Sequence, residues 1–502
     1  MIDMIMTGFG NIFGLQTIIL ITLGVTFGLM FGSIPGLTAT MGIALALPIT
    51  YGMDPINALA LLMSIFIGGV SGGFIPAVLI NLPGTPSSIA TTFDGYPMTQ
   101  KGQGAKALGL AIISSFVGGM FSFMILILIA PGLASIALKF GPFEYFAIAI
   151  FSLTMIASLS GNSMVKGVLS ALLGIGLTMI GAAPVSGTPR FTFGITSLDG
   201  GFDILIVMIG LFAVSEIIKF TTERYDASQT NDIVAPKVKW FGVKFSDVFK
   251  QRKNMLRSSV IGTAIGILPG IGGGTSNFLA YVAAKNGSKK PEEFGKGNPE
   301  GVVAPECANN ASIGGAMVPL VTLGIPGDAA TAILLGGLIL HGLTPGPMLF
   351  TNNGDVVYSI FASMIIANII LLILFLVGIK FFIKVLKIPK YYLLPIVVVL
   401  CALGAYGLNN RIFDIGAIFA FGLIGYLLQK YGFPLTPMIL GFILAPIAET
   451  NLLRGLMVTK GSFLPFITSP IAGVFLLLAL GSVLFAARKQ MMRRKEYENN
   501  QI

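Results

Sequence analysis

The sequence contains few of the residues on which enzymes and disulfide-stabilised proteins depend. Only 10% of its 502 residues are charged, and it has two cysteines, Cys307 and Cys401, and one histidine, His341. Two cysteines this far apart provide neither a disulfide framework nor the spacing of metal ligands. A single histidine excludes the HExxH zinc motif and leaves a serine-type intramembrane enzyme without its usual base. We therefore expect no enzyme activity, no catalytic residue, no bound metal and no organic cofactor.

Positive charge is absent from the first hundred residues. No Lys or Arg precedes Lys101, and the net charge of +10 is carried by loops and the C-terminal tail. We interpret this excess as topology information and contact with lipid headgroups, not as nucleic-acid binding. Hydrophobic residues make up 54% of the chain, and no soluble domain tolerates so many long apolar runs. Since a span of the lipid bilayer needs about 20 apolar residues, we predict an all-α integral membrane protein with about 10–12 transmembrane helices.

The stretch Asn310–Phe350 contains the most informative pattern. Two apolar runs meet at Pro326 and Gly327, followed by Asp328. Because each run is shorter than the span of about 20 residues, we predict a re-entrant hairpin of two half-helices. Backbone that breaks at membrane depth must be satisfied by protein, water or a bound solute. The second half-helix directs its positive end into the break, which favours an anion there, so the pattern is typical of a transport site.

The same pattern occurs earlier in the chain. Four blocks of the first half recur in the second half in the same order and at nearly constant spacing. The pairs are Pro35 with Pro269, Pro76 with Pro319, Pro83-Gly84 with Pro326-Gly327, and segment 159–167 with segment 408–416. Paired Gly/Pro-interrupted hydrophobic segments in two halves are the best sequence indication of a transporter binding site. We therefore predict two related membrane repeats with Pro-Gly-broken hairpins.

Charge and hydropathy divide the chain into four parts. We expect a first membrane repeat at 1–220, a central basic loop at 221–256, a second membrane repeat at 257–487 and a basic tail at 488–502. The loop and the tail are predicted to be cytoplasmic, because cytoplasmic loops carry an excess of Lys and Arg.

The orientation of the repeats follows from the same charge rule. Lys101 and Lys106 follow the first hairpin, whereas the matching stretch 346–355 after the second hairpin has no basic residue. Opposite charge bias at equivalent places favours an inverted repeat. The side of the N-terminus, and which half carries an extra crossing, stay open.

Asp328 is the strongest candidate for a functional residue. An ionisable side chain inside an apolar hairpin is functional by default, because its burial costs several kcal/mol. The alternative is an N-cap, since Asp328 immediately precedes an apolar helical run. Both roles can hold for one side chain.

Other polar residues have simpler interpretations. Asp94 is predicted to be a turn residue at a loop edge, and His341 a packed or interfacial histidine. Glu216 and Arg411 lie near the ends of predicted spans, where their charged groups can reach water. Glu306 is left between an ion or gating role and an interfacial position.

Three blocks resemble a known family. They are GSIPGLTATMGIALALPITYGMDP (32–55), INLPGTPSSIATTFDGYPMTQKGQGAKALG (80–109) and GIPGDAATAILLGGLILHGLTPGP (324–347). They are similar to the large membrane subunit, or permease, of the bacterial tripartite tricarboxylate transporters, and the resemblance covers essentially the whole chain. It implies a secondary transporter of the bacterial inner membrane, with a small four-helix membrane subunit and a periplasmic solute-binding protein as partners. It also implies import of citrate or another carboxylate by symport with a cation, commonly sodium.

We expect the transport site where the breaks of both halves meet. No Arg lies in any break, so anion binding would depend on helix dipoles and co-bound cations. The predicted substrate-binding residues are Pro83, Gly84, Thr85, Ser87, Ser88, Pro326, Gly327 and Thr331. The predicted cation-binding residues are Thr38, Thr40, Thr275, Ser276, Asn277 and Asp328. Close helix packing through small residues is the alternative explanation for the glycines beside them.

The sequence leaves the transport mode, the substrate and the coupling ion open. A stand-alone carboxylate carrier or antiporter without partner subunits is the alternative function. The sequence names neither the carboxylate nor the oligomeric state, and it does not decide between sodium and proton coupling.

Overall fold

The computed structural model describes residues 2–159, 164–222, 242–270, 272–385 and 390–499. Within these residues the chain is almost entirely helical, which confirms the predicted all-α membrane class. Residues 223–241 of the predicted central loop, residues 160–163 of one predicted repeat block and the last three residues of the tail lie outside the described residues.

The first part of the chain forms eleven α-helices within the described residues. They are α1 (Ile2–Ile12), α2 (Leu15–Ser33), α3 (Ala39–Ala46), α4 (Pro55–Gly72), α5 (Phe74–Ile80), α6 (Ile89–Gln100), α7 (Gly104–Ala137), α8 (Pro142–Leu159), α9 (Met164–Thr178), α10 (Ile204–Met208) and α11 (Ser215–Thr222). A π-helical turn (Ile209–Val214) joins α10 to α11, and 3₁₀ turns occur at Leu47–Thr50, Pro86–Ser88 and Thr196–Leu198. Strands β1 (Gly181–Ala182) and β2 (Pro189–Arg190) pair antiparallel.

The second part forms twelve α-helices within the described residues. They are α12 (Phe245–Lys250), α13 (Arg252–Ile267), α14 (Gly272–Gly287), α15 (Glu300–Leu323), α16 (Ala329–Leu340), α17 (Pro347–Asn352), α18 (Gly354–Val385), α19 (Lys390–Asn409), α20 (Ile412–Lys430), α21 (Leu435–Val458), α22 (Leu464–Thr468) and α23 (Pro470–Asn499). A 3₁₀ turn at Pro291–Glu293 precedes α15.

Seven helical segments of the described residues are long and apolar enough to cross a membrane, and two of them combine consecutive helices, α4 with α5 and α10 with α11. Further apolar helices of 10–17 residues, such as α16, accompany them. The chain is therefore a multi-pass membrane protein. The number of crossings stays a prediction, because short helices can end within a bilayer of about 30 Å thickness.

Four breaks interrupt the helices near their Pro-Gly pairs. They lie at residues 34–38 (break 1), 81–85 (break 2), 268–270 (break 3) and 324–328 (break 4). Breaks 2 and 4 begin in the same way, because Asn81 (φ 57°) and Gly324 (φ 71°) end the preceding helices in the left-handed conformation. A left-handed residue after the last turn is a common helix stop, and Gly or Asn adopts it at the lowest cost.

The helix before break 4 is longer than the sequence suggested. The apolar run after Asn310 belongs to α15, a helix of 24 residues, and is not a separate half-helix. Its first turns contain Glu300, Glu306 and Asn309, so hydropathy alone conceals the length of the helix. The second run, α16, has 12 residues and remains short.

Helices pack closely at glycines that stand next to breaks 1 and 3. A Cβ at Gly32 of α2 would lie 2.1 Å from the carbonyl oxygen of Gly69 on α4. A Cβ at Gly266 of α13 would lie 2.5 Å from the carbonyl oxygen of Ser312 on α15. Small residues allow helix backbones to approach this closely in membranes. Because Gly32 and Gly266 stand just before breaks 1 and 3, these contacts fix both breaks against the long helices.

Long helices of each part of the chain pack against helices of the other part. α7 packs along α15, and α18 packs along α4. The Phe74 and Phe375 rings, whose centroids lie 5.2 Å apart, join α5 to α18. Each long helix therefore covers the broken helix of the other part, and the breaks lie between them.

Candidate functional site

All four breaks line one cavity of about 640 Å³, which we call the central cavity. Break 1 and the start of α3 contribute Gly36 and residues 38–40, and break 2 with its 3₁₀ turn contributes residues 83–87. Break 3 and the start of α14 contribute Gly270 and residues 272–274, and break 4 with α16 contributes residues 328–330. Interrupted helices that meet around a cavity are typical of transporter binding sites.

Backbone contacts hold the breaks in place. The N–H of Gly270 in break 3 donates a 2.7 Å hydrogen bond to the carbonyl of Gly327 in break 4. The N–H of Gly84 in break 2 donates to the carbonyl of Gly73, at 3.1 Å. A Cβ at Gly84 would lie 2.1 Å from the carbonyl oxygen of Gly32, next to break 1. Breaks 1 and 2, and breaks 3 and 4, are therefore close neighbours.

Asp328 both caps a helix and lines the cavity. Its Oδ1 accepts hydrogen bonds from the Thr331 backbone N–H, at 2.8 Å, and from the Thr331 hydroxyl, at 2.7 Å. The Asp328 N–H in turn donates to the Thr331 hydroxyl, which completes a capping box. The side chain is partly buried in the cavity wall. The two roles that the sequence suggested for Asp328 are geometrically compatible.

The hydroxyls of break 2 form a second cap. Ser88 Oγ accepts from the Thr85 N–H at 3.3 Å and donates to the Thr85 carbonyl at 2.9 Å. Thr85 Oγ1 and Ser87 Oγ lie 3.1 Å apart. Thr85 and Ser87 line the cavity, whereas Ser88 is fully buried behind them.

The structure brings together half of the predicted site residues. The central cavity is lined by Thr38, Thr40, Pro83, Gly84, Thr85, Ser87 and Asp328. The remaining predicted residues, Ser88, Thr275, Ser276, Asn277, Pro326, Gly327 and Thr331, lie outside its lining.

The α14 residues in this second group point elsewhere. Thr275 is exposed, and Ser276 Oγ donates to the carbonyls of Gly273 and Ala308. Asn277 Oδ1 accepts from the Ala90 N–H at 3.0 Å. The glycines before them, not these side chains, form the cavity wall.

Sequence reasoning missed a charged pair in the cavity wall. Phe212, Glu216 and Lys219 follow one another at helical spacing on the segment 204–222 and line the central cavity. Lys219 Nζ lies 3.8 Å from Glu216 Oε1. The cavity wall therefore contains an ion pair, whereas no Lys or Arg lies in the breaks themselves. These residues are far from every break in the sequence, so no local pattern could have linked them to the site.

Glu306 occupies a buried polar cluster behind the cavity. It is fully buried on α15 and accepts hydrogen bonds from the hydroxyls of Thr91 and Ser115. On the next turn, Asn310 Oδ1 accepts from Ser71 Oγ at 2.6 Å, and Asn309 lines the cavity. No salt bridge reaches Glu306 in the part of the chain that the structure describes. Glu306 is therefore buried inside the protein and is not a surface residue.

The prediction that Asp94 is a loop-edge turn residue is wrong. Asp94 lies within α6 and is fully buried. Its Oδ1 accepts from the N–H groups of Gly295, Gly297 and Asn298 at 2.7–3.0 Å, and its Oδ2 accepts from the Tyr281 hydroxyl at 2.9 Å. Asp94 therefore ties α6 to the loop before α15.

His341 and Arg411 occupy the positions expected of them. His341 is partly exposed after α16, with Nε2 3.2 Å from the Thr50 hydroxyl. Arg411 lies at the start of α20 and forms an ion pair with Asp414 at 3.0 Å. Neither residue lines the central cavity.

Broken helices that meet around a cavity define a multi-pass membrane protein of the transporter class. The pattern of the tripartite tricarboxylate transporter TctA family matches residues 18–440. The chain belongs to this family and is a membrane transporter subunit of tricarboxylate transport. The family is one of transporters, not of enzymes.

Two relatives from Agrobacterium vitis are similar over long stretches. The protein described as "Uncharacterized 52.8 kDa protein in TAR-I ttuC' 3'region" is 37% identical over 473 residues, 94% of this chain and 93% of the relative. The "Uncharacterized protein in TAR-II ttuC' 3'region" is 40% identical over 235 residues, 47% of this chain and 97% of the relative. No solved structure matches the chain.

Proposed function

We propose that this chain is the permease subunit of a secondary transporter that imports a tricarboxylate or a related carboxylate across the bacterial inner membrane. The coupling ion is a cation, sodium in the proposal, and a periplasmic binding protein delivers the substrate. A small four-helix membrane subunit completes the assembly. The observation that carries this proposal is the convergence of all four breaks on the central cavity.

The carboxylate is proposed to bind at breaks 2 and 4. The N-terminus of α16 opens on the cavity beside Asp328, and backbone N–H groups at a helix N-terminus favour anions. Thr85 and Ser87 add hydroxyl donors on the facing wall. Lys219 of α11, which is paired with Glu216, supplies an ammonium group to the same cavity. The predicted substrate-binding residues that lie outside the cavity lining, such as Thr331, are proposed to stabilise the backbone conformation of the breaks.

The cation is proposed to bind between breaks 1, 3 and 4. Sodium prefers hard oxygen ligands such as carboxylates, hydroxyls and backbone carbonyls. Asp328 stands beside the start of α14, where a Cβ at Gly272 would lie 3.4 Å from the Asp328 Cβ. Thr38 and Thr40 line the same cavity. A carboxylate with hydroxyls and freed carbonyls around it is the environment in which membrane proteins place their coupling ions.

The two parts of the chain are proposed to be inverted repeats. Lys101, after α6, donates to the carbonyl of Lys296, before α15, so these two loops share one end of the molecule. Thr50, after α3, contacts His341, after α16, so those two segments also lie together. These contacts fit inverted repeats in which the broken helices of each part cross the membrane. The end of α6 and the start of α15 then lie at one face, and the ends of α3 and α16 at the other.

The test is uptake by proteoliposomes that contain this chain, the small subunit and the binding protein. Radiolabelled citrate, isocitrate, malate and succinate are offered with an inward sodium gradient, a potassium gradient or no gradient. We expect accumulation of at least one carboxylate with sodium alone. Equal accumulation under all three conditions would contradict symport, and equal uptake by this chain without its partners would favour the stand-alone carrier.

A further inference from the structure

A second cavity of about 680 Å³ lies at the other end of the helices that line the central cavity. Its walls come from the region around the β1–β2 hairpin, from the turn 344–348 and from α16 and α21. Among the described residues, none lines both cavities. The proposed function assigns no role to this second cavity.

One turn and a half of α16 separates the two cavities. Ala330 lines the central cavity, and Leu335 and Ile339 line the second one. Five residues of α-helix span about 7.5 Å. Residues 331–334 between them are fully buried. The barrier between the two cavities is therefore thin and, apart from the Thr331 hydroxyl that the Asp328 cap occupies, apolar.

Two further helices run from one cavity to the other. In α21, Leu435 lines the central cavity and Phe442 the second one. In the segment 204–222, Phe212 lines the central cavity and Ile204 the second one. α10, α16 and α21 pack against one another between the cavities. At that contact a Cβ on Gly336 would lie 2.4 Å from Leu205 Cδ2.

The positive-inside rule assigns the two cavities to opposite sides of the membrane. Lys219 of the central cavity leads directly into the basic segment 219–257, which the charge rule places in the cytoplasm. Ile204 stands 15 residues earlier on the same helical segment, about 22 Å away at 1.5 Å per residue. The second cavity is thus the one that opens toward the outside.

The lining of the second cavity suits a carboxylate. Its walls are largely apolar, with polar groups from Tyr145, Thr178, Thr344 and Asn451. Arg454 is the single Lys, Arg or His side chain among its lining residues. Ligand pockets commonly combine an apolar wall with a few placed polar groups. A guanidinium is matched in shape to a carboxylate and binds it through two parallel hydrogen bonds.

We propose that the second cavity is an outer binding site for the carboxylate, in which Arg454 holds the substrate before it crosses the α16 barrier to the central cavity. This inference rests on the proposed function and adds a second site on the same pathway. It requires that substrate reach Arg454 from outside. It also requires that the contact between α10, α16 and α21 open during transport.

The test combines uptake with thiol labelling in the reconstituted complex. Arg454→Gln removes the positive charge, and Arg454→Lys retains the charge but lacks the paired N–H donors of the guanidinium. Lys460→Gln is the matched control, because Lys460 is exposed nearby but does not line the cavity. We expect Arg454→Gln to raise the KM for the best of the four carboxylates by tenfold or more. Arg454→Lys should show an intermediate KM, and Lys460→Gln an unchanged one.

The labelling arm reports on the site itself. A cysteine at Ile339, which is half exposed in the second cavity, is treated with a membrane-impermeant thiol reagent from outside. The transported carboxylate should slow labelling with Arg454 present and leave it unchanged in Arg454→Gln. Normal KM values with no protection of position 339 would overturn the outer site while the proposed function stands. Absence of carboxylate uptake by the unaltered complex would overturn both.

Discussion

The N–H of Gly270 donates a 2.7 Å hydrogen bond to the carbonyl of Gly327, and this bond joins break 3 to break 4. Broken backbone at membrane depth leaves donors and acceptors that lipid cannot satisfy. Here one break satisfies the other, so the two interruptions stabilise each other. The contact between breaks 3 and 4 is made by backbone atoms of two glycines, which have no side chains to stand in its way.

Gly327→Ala should therefore destabilise the protein and reduce uptake. The added Cβ would lie 2.7 Å from the Ala316 Cα, a backbone atom that cannot move away freely. Overpacking of this kind costs about 1–3 kcal/mol. Gly10→Ala is the control, because a Cβ there meets nothing within 4 Å. Thermal unfolding in detergent compares the two, and equal midpoints would show that break 4 is loosely packed.

Asp328→Asn should abolish sodium-dependent uptake while leaving stability near normal. Asn caps helices about as well as Asp, so the α16 cap survives and only the charge is lost. Asp328→Ala should lose both uptake and about 0.5–2 kcal/mol of stability. Uptake and thermal midpoint are measured on both variants. Unchanged uptake with the same sodium dependence in Asp328→Asn would reduce Asp328 to a helix cap.

Asp94→Ala should lower the stability and abundance of the protein. The change leaves the N–H groups of Gly295, Gly297 and Asn298 without their acceptor. Asn298 is buried, and an orphaned buried donor costs about 1–3 kcal/mol. The control is Asp3→Ala at an exposed position. The amounts of folded protein in the membrane fraction are compared, and equal amounts would contradict a structural role for Asp94.

Labelling of single cysteines should separate the two hairpins. Cys307 and Cys401 are both buried and are first replaced by Ser. One cysteine is placed at Gln103, after α6, and another at Asn353, just before α18. A membrane-impermeant thiol reagent outside intact cells should label position 353 and spare position 103. The reverse pattern, or equal labelling, would exclude the inverted arrangement.

Sequence reasoning located the breaks because Pro and Gly act locally. Pro83 and Pro326 remove backbone donors, and the glycines beside them allow close backbone approach, so both effects can be seen in a few letters. The same reasoning failed for Asp94, because the sequence FDGYP resembles a turn and its true partners lie some two hundred residues away. Lys219 and Glu216 were missed for the same reason. They line the cavity because of the way α11 packs, and a local sequence pattern does not predict that packing.

The central claim is that the carboxylate binds where the four breaks meet. Ala329 lies in the cavity wall beside Asp328, and its side chain is not among the proposed ligands, so Ala329→Cys introduces a reporter at the site. Its rate of alkylation by a membrane-permeant maleimide is measured in the reconstituted complex, in the background without Cys307 and Cys401. The transported carboxylate should slow alkylation several-fold when sodium is present and have little effect when potassium replaces it. The same rate with and without carboxylate, in a complex that takes the carboxylate up, would place the binding site elsewhere.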